Sequence, residues 1–287
     1  MGVLVNETYD LAGGITVPKI GYGCYNPRCD HNREIFGLAL ETGYRYFDTA
    51  YIYGTERDLG LAIKDAGIPR SELTISTKAW HDQLGYERTK TACYKSLENL
   101  GLDYIDIYLI HWPRHDVECD WRTMDLEAWR AMCELKEEGV IRGIGVSNFL
   151  PHHLQNIIEN SDVVPVIDQL ELHPGYCQEA AVAYCKEHGI QPQAWGPLGR
   201  GRALDNTYIN ELAAKYGKSP AQICIRYLLQ RGIMPVVKSS SAERMRANTE
   251  VFDFGLTEEE VSIISCMPQE GWMGEHPDFK IPTKSSE

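Results

Sequence analysis

Short apolar runs rich in β-branched residues alternate along the chain with longer segments in which apolar residues recur at helical spacing. Helical segments such as 32–43, 55–67 and 91–101 each end on glycine, the residue that most often caps a helix C-terminus. This alternation predicts a parallel sheet joined by crossover helices. The predicted strands span residues 19–23, 44–49, 73–78, 104–111, 141–147, 163–169, 190–195 and 233–239.

Eight predicted strands favour an α/β fold of the closed (β/α)8 TIM barrel type, with a doubly wound open sheet as the alternative. Residues 8–20 alternate apolar and polar positions around Gly13-Gly14, which predicts a β-hairpin. We expect this hairpin to close the N-terminal end, or bottom, of the barrel. Residues 267–287 are expected to form an irregular tail. Because no linker divides the chain, residues 1–287 are expected to form one domain.

The composition is that of a globular protein, with 43% hydrophobic and 24% charged residues. A net charge of −13 disfavours nucleic acid or an anionic membrane as a partner. We expect no signal peptide and no membrane span, since no suitable apolar run occurs. Nine cysteines without a CxxC pair are expected to be reduced thiols, which favours a cytoplasmic protein. Cys24 and Cys29 lack partner ligands, so no metal site is predicted.

Polar side chains stand where four of the predicted strands end. They are Asp48, Lys78, His111 and the pair Ser147-Asn148, and Tyr53 follows Asp48 on its loop. Each alone is typical of a turn or a hydrogen-bonded core position. A barrel, however, brings the carboxyl ends of its strands to one face, where barrel enzymes place their catalytic groups. The pattern therefore predicts one polar site on that face.

These side chains suit proton donation to a carbonyl oxygen. A carboxylate beside a lysine holds the ammonium in its charged form, and the ammonium is expected to lower the pKa of a neighbouring phenol. A neutral histidine can hydrogen-bond a carbonyl and orient it. A site that protonates oxygen needs a second group to attack the carbon, and a hydride fits that need.

The sequence resembles the aldo-keto reductase superfamily, and most closely its short bacterial members such as the diketogluconate reductases. The resemblance covers about residues 8–254 and rests on the order of several segments, each at the end of a predicted strand. Those segments are FDTAYIYGTE, TKAW, LIHWP, GVSNF, IDQLELHP, WGPLGRG and VVKSSSAERMRAN.

The resemblance implies a catalytic tetrad of Asp48, Tyr53, Lys78 and His111, with Tyr53 as the general acid that completes hydride transfer from NADPH. It implies that Trp195 stacks on the nicotinamide, at a position where tyrosine is more usual. NADPH is favoured over NADH by a basic segment that resembles the family's 2′-phosphate site. The implied cofactor-binding residues are Ser147, Asn148 and Gln169 for the carboxamide, Gly196, Pro197, Leu198 and Gly199 for the pyrophosphate, Lys238, Ser239, Ser240 and Arg244 for the 2′-phosphate, and Asn248 for the adenine. Ala247 stands where the family usually has an acidic residue that contacts the adenine.

By the same resemblance, aromatic residues line the substrate channel and Trp272 closes over it. Small aldehydes, α-keto aldehydes and activated ketones are the expected substrates, and a monomer is the expected state. The alternative is an NADPH-binding redox sensor with little turnover. A second alternative is a different barrel enzyme, such as a phosphate-binding isomerase or a metal hydrolase, and metal hydrolysis is disfavoured because the strand ends carry too few clustered ligands. The channel residues are Tyr25, Tyr51, Trp80 and Trp112.

Overall fold

A computed structural model describes residues 7–26, 29–113, 120–269 and 276–278 of the 287. Strands β3 to β10 form a closed parallel barrel in which each strand pairs with the next and β10 pairs with β3. The predicted (β/α)8 barrel is therefore confirmed, and the open sheet is excluded. The strands are β1 (Thr8–Leu11), β2 (Ile15–Pro18), β3 (Gly21–Gly23), β4 (Tyr46–Asp48), β5 (Thr74–Ala79), β6 (Ile105–Ile110), β7 (Ile141–Ser147), β8 (Ile167–Glu171), β9 (Gln191–Trp195) and β10 (Met234–Val237).

Helices surround the barrel and bury one face each against it, which accounts for the helical spacing of their apolar residues. Gly43, Gly67 and Gly101 follow the first three helices with φ between +62° and +101°, as their predicted capping role requires. No helix in the described ranges is long and apolar enough to cross a membrane. The helices are α1 (Asn32–Glu41), α2 (Glu56–Ala66), α3 (Tyr86–Leu100), α4 (Trp121–Glu137), α5 (Pro151–Asn160), α6 (Glu179–Glu187), α7 (Thr207–Tyr216), α8 (Pro220–Gln230), α9 (Ala242–Ala247) and α10 (Glu258–Ser265).

The N-terminal hairpin packs against the bottom of the barrel. Strands β1 and β2 pair antiparallel, from Thr8 opposite Pro18 to Leu11 opposite Ile15. Leu11 and Val17 belong to the same buried apolar cluster as residues of the barrel. The predicted bottom-closing hairpin is thus confirmed, and the site must open at the other end. The barrel residues of that cluster are Tyr46, Ile107, Leu109, Val166, Ile167 and Met234.

The strand predicted at 163–169 lies later in the chain, at Ile167–Glu171. Pro165 has no backbone N–H to donate to a sheet ladder, and the residues before it connect α5 to the barrel instead. The Trp129 indole N–H donates to the Val163 carbonyl at 3.2 Å, which pins this connection against α4. Gln169 consequently lies inside the strand rather than at its end.

Candidate active site

Asp48, Lys78 and His111 come from three neighbouring strands and meet at the C-terminal face of the barrel. The alternation of β5 directs Ser76 and Lys78 towards Asp48, whereas Thr77 points outwards and donates to the Glu56 carboxylate of α2 at 2.7 Å. Lys78 Nζ lies 2.6 Å from Asp48 Oδ2, and both side chains are nearly inaccessible to solvent. The sequence-predicted Asp–Lys pair is therefore formed and buried.

Further hydrogen bonds hold this ion pair. The Lys78 ammonium donates to the Thr49 carbonyl at 2.8 Å, while Asp48 Oδ1 accepts from Ser76 Oγ and from Gln169 Nε2, both at 3.0 Å. A buried ion pair is stable only when its remaining donors and acceptors are satisfied. These contacts supply that satisfaction and fix Lys78 in one position.

Tyr53 stands over the pair on a single-turn 3₁₀ helix, Tyr51–Tyr53, that follows β4. Its hydroxyl oxygen lies 3.5 Å from His111 Nε2, and the Lys78 ammonium lies 5.2 Å from the centre of its ring. Tyr25 packs edge-on against the Tyr53 ring with centroids 4.8 Å apart. The structure thus brings all four predicted tetrad residues into one cluster.

Burial sets the protonation states in this cluster. Burial, and then the Asp48 charge, raise the pKa of Tyr53 well above its usual value. Burial, and then the Lys78 charge, lower the pKa of His111 well below its usual value, so the imidazole is neutral at pH 7. Burial also lowers the pKa of Lys78, although Asp48 opposes that change.

The sequence predicts that the Lys78 ammonium lowers the pKa of Tyr53, and this predicted direction is wrong for the structure. Asp48, 2.6 Å from Lys78, neutralises most of the field of the ammonium, so the loss of hydration on burial dominates. The phenol is consequently fully protonated at neutral pH. A protonated phenol beside a neutral imidazole can donate a proton to an oxygen bound between them.

Ser147, Asn148 and Gln169 lie together beside the tetrad. Asn148 adopts a left-handed backbone conformation with φ of 62°, which turns its side chain back towards His111. Its Nδ2 donates to the His111 carbonyl at 3.0 Å, and its Oδ1 accepts from the Trp195 indole N–H at 2.8 Å. Gln169 Nε2 is occupied by Asp48 and Gln193, so Gln169 Oε1 remains available as an acceptor. A primary amide placed here would find acceptors for its N–H groups, whereas the donors are engaged, because Asn148 Nδ2 also donates to Ser147 Oγ at 3.0 Å and Ser147 Oγ donates to the Gln169 carbonyl at 2.8 Å.

A cavity of about 650 Å³ runs from His111 to Lys238 across the top of the barrel. Gly196, Pro197 and Leu198 line it, whereas Gly199 does not and instead packs over the ring of His173. The lining also includes several residues that were not predicted from the sequence. For one of them the sequence contains a signal, since WGPLGRG places an arginine between two glycines. Those residues are Gly23, Ile52, Arg200, Gly201, Val236 and Val237.

The far end of the cavity carries the predicted basic segment. Lys238 lines the cavity, while Ser240 and Arg244 are exposed beyond it. Ser239 is buried, and its hydroxyl bonds to the backbone of Ser241, so it shapes the turn into α9. Beyond that turn, Asn248 is also buried and directly follows Ala247 at the end of α9.

Aromatic side chains form the wall opposite this loop, but Tyr51 is not one of them. Tyr25, Trp80 and Trp112 line the cavity, and Tyr25 is 58% exposed at its mouth. Successive side chains of a 3₁₀ helix point about 120° apart, so Tyr51 and Tyr53 point in different directions. Because Tyr53 points into the site, Tyr51 points away from it. The Tyr51 phenol lies near Lys95 on α3, and Ile52 takes the predicted place in the wall. The predicted cover, Trp272, lies outside the described residues.

A histidine–carboxylate cluster links α5 to residues 276–278 and contributes nothing to the cavity lining. His152 Nε2 and His153 Nε2 lie 2.9 and 3.2 Å from Asp278 Oδ1, a spacing that would suit a metal ion. His153 Nδ1, however, accepts a hydrogen bond from the Leu150 N–H at 3.0 Å, so the neutral ring carries its proton on Nε2. A protonated nitrogen cannot ligate a metal. The cluster therefore ties part of the tail to the barrel, and the absence of a metal site stays a prediction.

Comparisons with known proteins agree with this geometry. The model of the Aldo/keto reductase family matches residues 20–267. Glyoxal reductase of Bacillus subtilis (strain 168) is 39% identical over 279 residues, which cover 97% of this chain and 99% of that protein. Methylglyoxal reductase DkgA of Escherichia coli (strain K12) is 41% identical over 270 residues, or 93% of this chain and 96% of that one. The crystal structure of a Bombyx mori aldo-keto reductase in complex with NADP is 36% identical, with a TM-score of 0.83 over 90% of this chain and 91% of that chain.

Proposed function

This chain belongs to the aldo/keto reductase family, and from that membership and the cavity we infer that it reduces aldehydes and ketones to alcohols with NADPH. The observation that carries the proposal is the contact of Tyr53 with His111 at 3.5 Å above the buried Lys78–Asp48 pair. This arrangement supports our proposal that Asp48, Tyr53, Lys78 and His111 act together as the catalytic tetrad. The catalytic roles below are our proposal for this chain.

The cavity suits a dinucleotide in its size and in its polar groups. Ser147, Asn148 and Gln169 would hold the carboxamide, Trp195 would face the nicotinamide ring, and Gly196 to Leu198 would lie along the pyrophosphate. Bound NADPH supplies the hydride. Trp195 is fixed for its role, because its indole N–H is tied to Asn148 at 2.8 Å.

In the proposed reaction, His111 orients the carbonyl oxygen and Tyr53 donates the proton to it. His111 acts as a neutral hydrogen-bond donor, which its lowered pKa permits. Once Tyr53 has lost its proton, the Lys78 ammonium, near its ring, stabilises the phenolate. Asp48 keeps that ammonium charged and in place.

The direct test is to mix the protein with NADPH and a panel of methylglyoxal, glyoxal and 4-nitrobenzaldehyde, and to follow the loss of absorbance of the reduced nicotinamide. Turnover supports the reductase. Tight NADPH binding without turnover would instead support the redox-sensor alternative.

We propose that small aldehydes and α-keto aldehydes are better substrates than bulky ketones, so the panel also includes a steroid ketone. Relatives named for glyoxal and methylglyoxal support that class.

We further propose a cytoplasmic monomer of one domain that does not bind nucleic acid. The eight cysteines within the described ranges are all free thiols, as a reducing compartment favours. The net charge of −13 opposes contact with phosphate backbones. Light scattering of the purified protein tests the monomer: a mass near 32.5 kDa is expected.

The lowered pKa of His111 predicts that reduction is insensitive to mild acid. A histidine with the ordinary pKa of about 6.5 would be about nine-tenths protonated at pH 5.5, and kcat would then fall roughly tenfold. Because burial moves the His111 pKa well below that value, we expect kcat at pH 5.5 to stay within about twofold of kcat at pH 7.5. Initial rates at saturating NADPH and aldehyde measure this. The melting temperature at both pH values is the control, and a tenfold fall in a folded enzyme would contradict the assignment.

Lys238 and Arg244 are expected to select NADPH over NADH. Lys238→Gln or Arg244→Gln removes a cation from the proposed 2′-phosphate site, and a hydrogen bond to a charged group contributes about 1.5 kcal/mol or more. We therefore expect the Kd for NADPH to rise roughly tenfold in each variant, with the Kd for NADH unchanged. Arg246→Gln, on the same helix, is the matched control. Equal weakening of both cofactors would place these cations elsewhere.

A further inference from the structure

Thr55 stands at the N-cap position of α2 but does not cap the helix. A threonine at this position usually accepts a hydrogen bond from a backbone N–H of the first helical turn, which stabilises the helix. Thr55 forms no such bond with the residues of α2, all of which the structure describes. Thr257, at the N-cap of α10, does accept one, from the Glu260 N–H at 3.2 Å. Because Thr55 is buried, its hydroxyl needs a different partner.

The Thr55 hydroxyl closes the loop that connects β4 to α2. It donates to the carbonyl of Cys24, the residue that follows β3, at 3.2 Å. Because that bond uses its one proton, the Thr49 hydroxyl, 3.0 Å away, is the donor in the bond between the two threonines. Thr49 directly follows β4 and is also buried. The loop that leaves the barrel at Thr49 is therefore joined to its own far end by two directed hydrogen bonds.

The residues that Thr55 contacts are themselves fixed to the barrel. The Thr49 N–H donates to the Ser76 carbonyl at 2.8 Å, and the Thr49 carbonyl accepts from the Lys78 ammonium at 2.8 Å. The Cys24 N–H donates to the last carbonyl of β4, also at 2.8 Å. The Thr55 hydroxyl thus connects the start of α2 to two anchored points on the active-site face.

The loop between the two threonines carries Tyr53. The backbone hydrogen bonds of residues 50–54, at 3.0 and 3.2 Å, join positions within the turn, so they shape it but do not attach it to the barrel. Its outer side chains, Tyr51 and Ile52, are 37% and 47% exposed. A segment with few buried contacts depends on its ends for its position. The hydroxyl bonds at Thr49 and Thr55 are therefore well placed to fix the turn.

We propose that Thr55 is a positioning residue for Tyr53, an inference that rests on the proposed function. A proton donor acts only within hydrogen-bond reach of the oxygen that it protonates, and a displacement of about 1 Å can cost about 10²-fold in rate. By closing the loop, the Thr55 hydroxyl sets the distance of the Tyr53 phenol from a bound carbonyl. Neither Thr49 nor Thr55 is among the described residues that line the cavity, so Thr55 acts through the loop and not on the substrate or cofactor.

The variant Thr55→Val keeps the shape of the side chain and removes its hydroxyl. We expect kcat for 4-nitrobenzaldehyde at saturating NADPH to fall roughly tenfold. The Kd for NADPH, measured by quenching of tryptophan fluorescence, should change by less than about twofold. Thr55→Ser keeps the hydroxyl and should recover most of kcat. Thr49→Val breaks the bond between the two hydroxyls from the other side and should also lower kcat, so the test does not depend on whether Thr55→Val folds.

Thr257→Val is the matched control, because Thr257 caps a helix that contributes no described residue to the cavity lining. It should lower the melting temperature by a few degrees and leave kcat unchanged, since only a helix cap is lost. Thr55→Val should lower the melting temperature as well, but kcat should fall with it. A lower melting temperature with unchanged kcat in Thr55→Val would show a purely structural role and would overturn the proposal.

A double-variant cycle with Tyr53→Phe tests whether Thr55 acts through the phenol. If it does, Thr55→Val should have no further effect on the residual rate of Tyr53→Phe, because the proton donor is already absent. The same tenfold loss in both backgrounds would show that Thr55 acts on another part of the site, against the proposal. An equal loss of kcat in Thr55→Val and Thr55→Ser would also contradict it.

Hydrogen exchange of the backbone amides of residues 50–54 gives a readout that needs no turnover. Thr55→Val should speed this exchange roughly tenfold, the effect of losing one buried hydrogen bond, whereas Thr55→Ser and Thr257→Val should not change it. Unchanged exchange in Thr55→Val would show that its hydroxyl does not hold the turn. If the unaltered protein reduced no aldehyde, the proposed function would fail, and exchange alone would decide whether Thr55 positions Tyr53.

Discussion

Replacing Tyr53 with phenylalanine should reduce kcat for aldehyde reduction by about 10³-fold, within the range of 10² to 10⁴ that a general acid contributes. Phenylalanine keeps the ring that packs against Tyr25 and His111, and it lacks only the hydroxyl. The oxygen of the substrate would then receive its proton from water instead of from a phenol fixed 3.5 Å from His111. Rates at saturating NADPH and 4-nitrobenzaldehyde measure the loss.

Cofactor binding separates this effect from damage to the cavity. Because Tyr53 is not among the proposed cofactor contacts, the Kd for NADPH should change by less than about twofold, well under the tenfold that 1.4 kcal/mol represents. Tyr94→Phe removes a hydroxyl from the exposed face of α3 and should leave kcat unchanged. If Tyr53→Phe kept near-normal turnover, another group would have to donate the proton, and the proposed mechanism would be wrong.

Breaking the Lys78–Asp48 pair should produce the largest loss of stability. Lys78→Met leaves the Asp48 carboxylate buried without its cation, and removal of one partner of a buried pair typically costs about 3–5 kcal/mol of the free energy of unfolding. Asp48 would still accept hydrogen bonds from Ser76 and Gln169, so we expect the lower end of that range. Asp48→Leu should be the more damaging change, because the buried ammonium would keep only the Thr49 carbonyl.

The double variant Asp48→Leu/Lys78→Met should be more stable than Asp48→Leu alone, because it buries no unpaired charge. Urea unfolding of the four proteins gives the coupling free energy directly. Lys95→Met breaks an ion pair with Glu98 on the exposed face of α3, and it should not change stability measurably. Equal and small losses in both single variants would show that the Lys78–Asp48 pair does not act as a buried unit. All three variants at this pair should be inactive.

Much of the architecture is local in origin and could be predicted. The apolar runs predicted eight strands, and the one predicted at 163–169 begins instead at Ile167, because Pro165 cannot donate to the sheet. Gly67 and Gly101 end their helices with the left-handed φ that a chain reversal demands, and glycine is the residue that adopts it most easily. The hydrophobic periodicities of strands and helices involve residues only a few positions apart, so they can be recognised in one amino-acid sequence.

The relations between distant residues depended on the tertiary structure. The sequence predicted that Asp48, Lys78 and His111 share one face, but not that burial outweighs the field of Lys78 at Tyr53 and raises the pKa of the phenol. Desolvation depends on everything packed around a group, which comes from many parts of the chain. The direction of each side chain on the 3₁₀ turn after β4 likewise depends on how the turn packs on the barrel. In the structure Ile52, and not Tyr51, faces the cavity.

The sequence by itself determined the (β/α)8 order of elements and the hairpin at the bottom, and it was enough to propose the four tetrad residues, because period and motif are properties of neighbouring positions. Only the tertiary structure decided that Arg200 and Lys238 line the cavity, where no carboxylate of the described residues forms a salt bridge with either. Whether a charge is compensated depends on which side chains approach it across the fold. Many arginines and lysines of this acidic protein have a carboxylate partner, whereas among the described residues these two have none, in the cavity where we propose that an anionic cofactor binds.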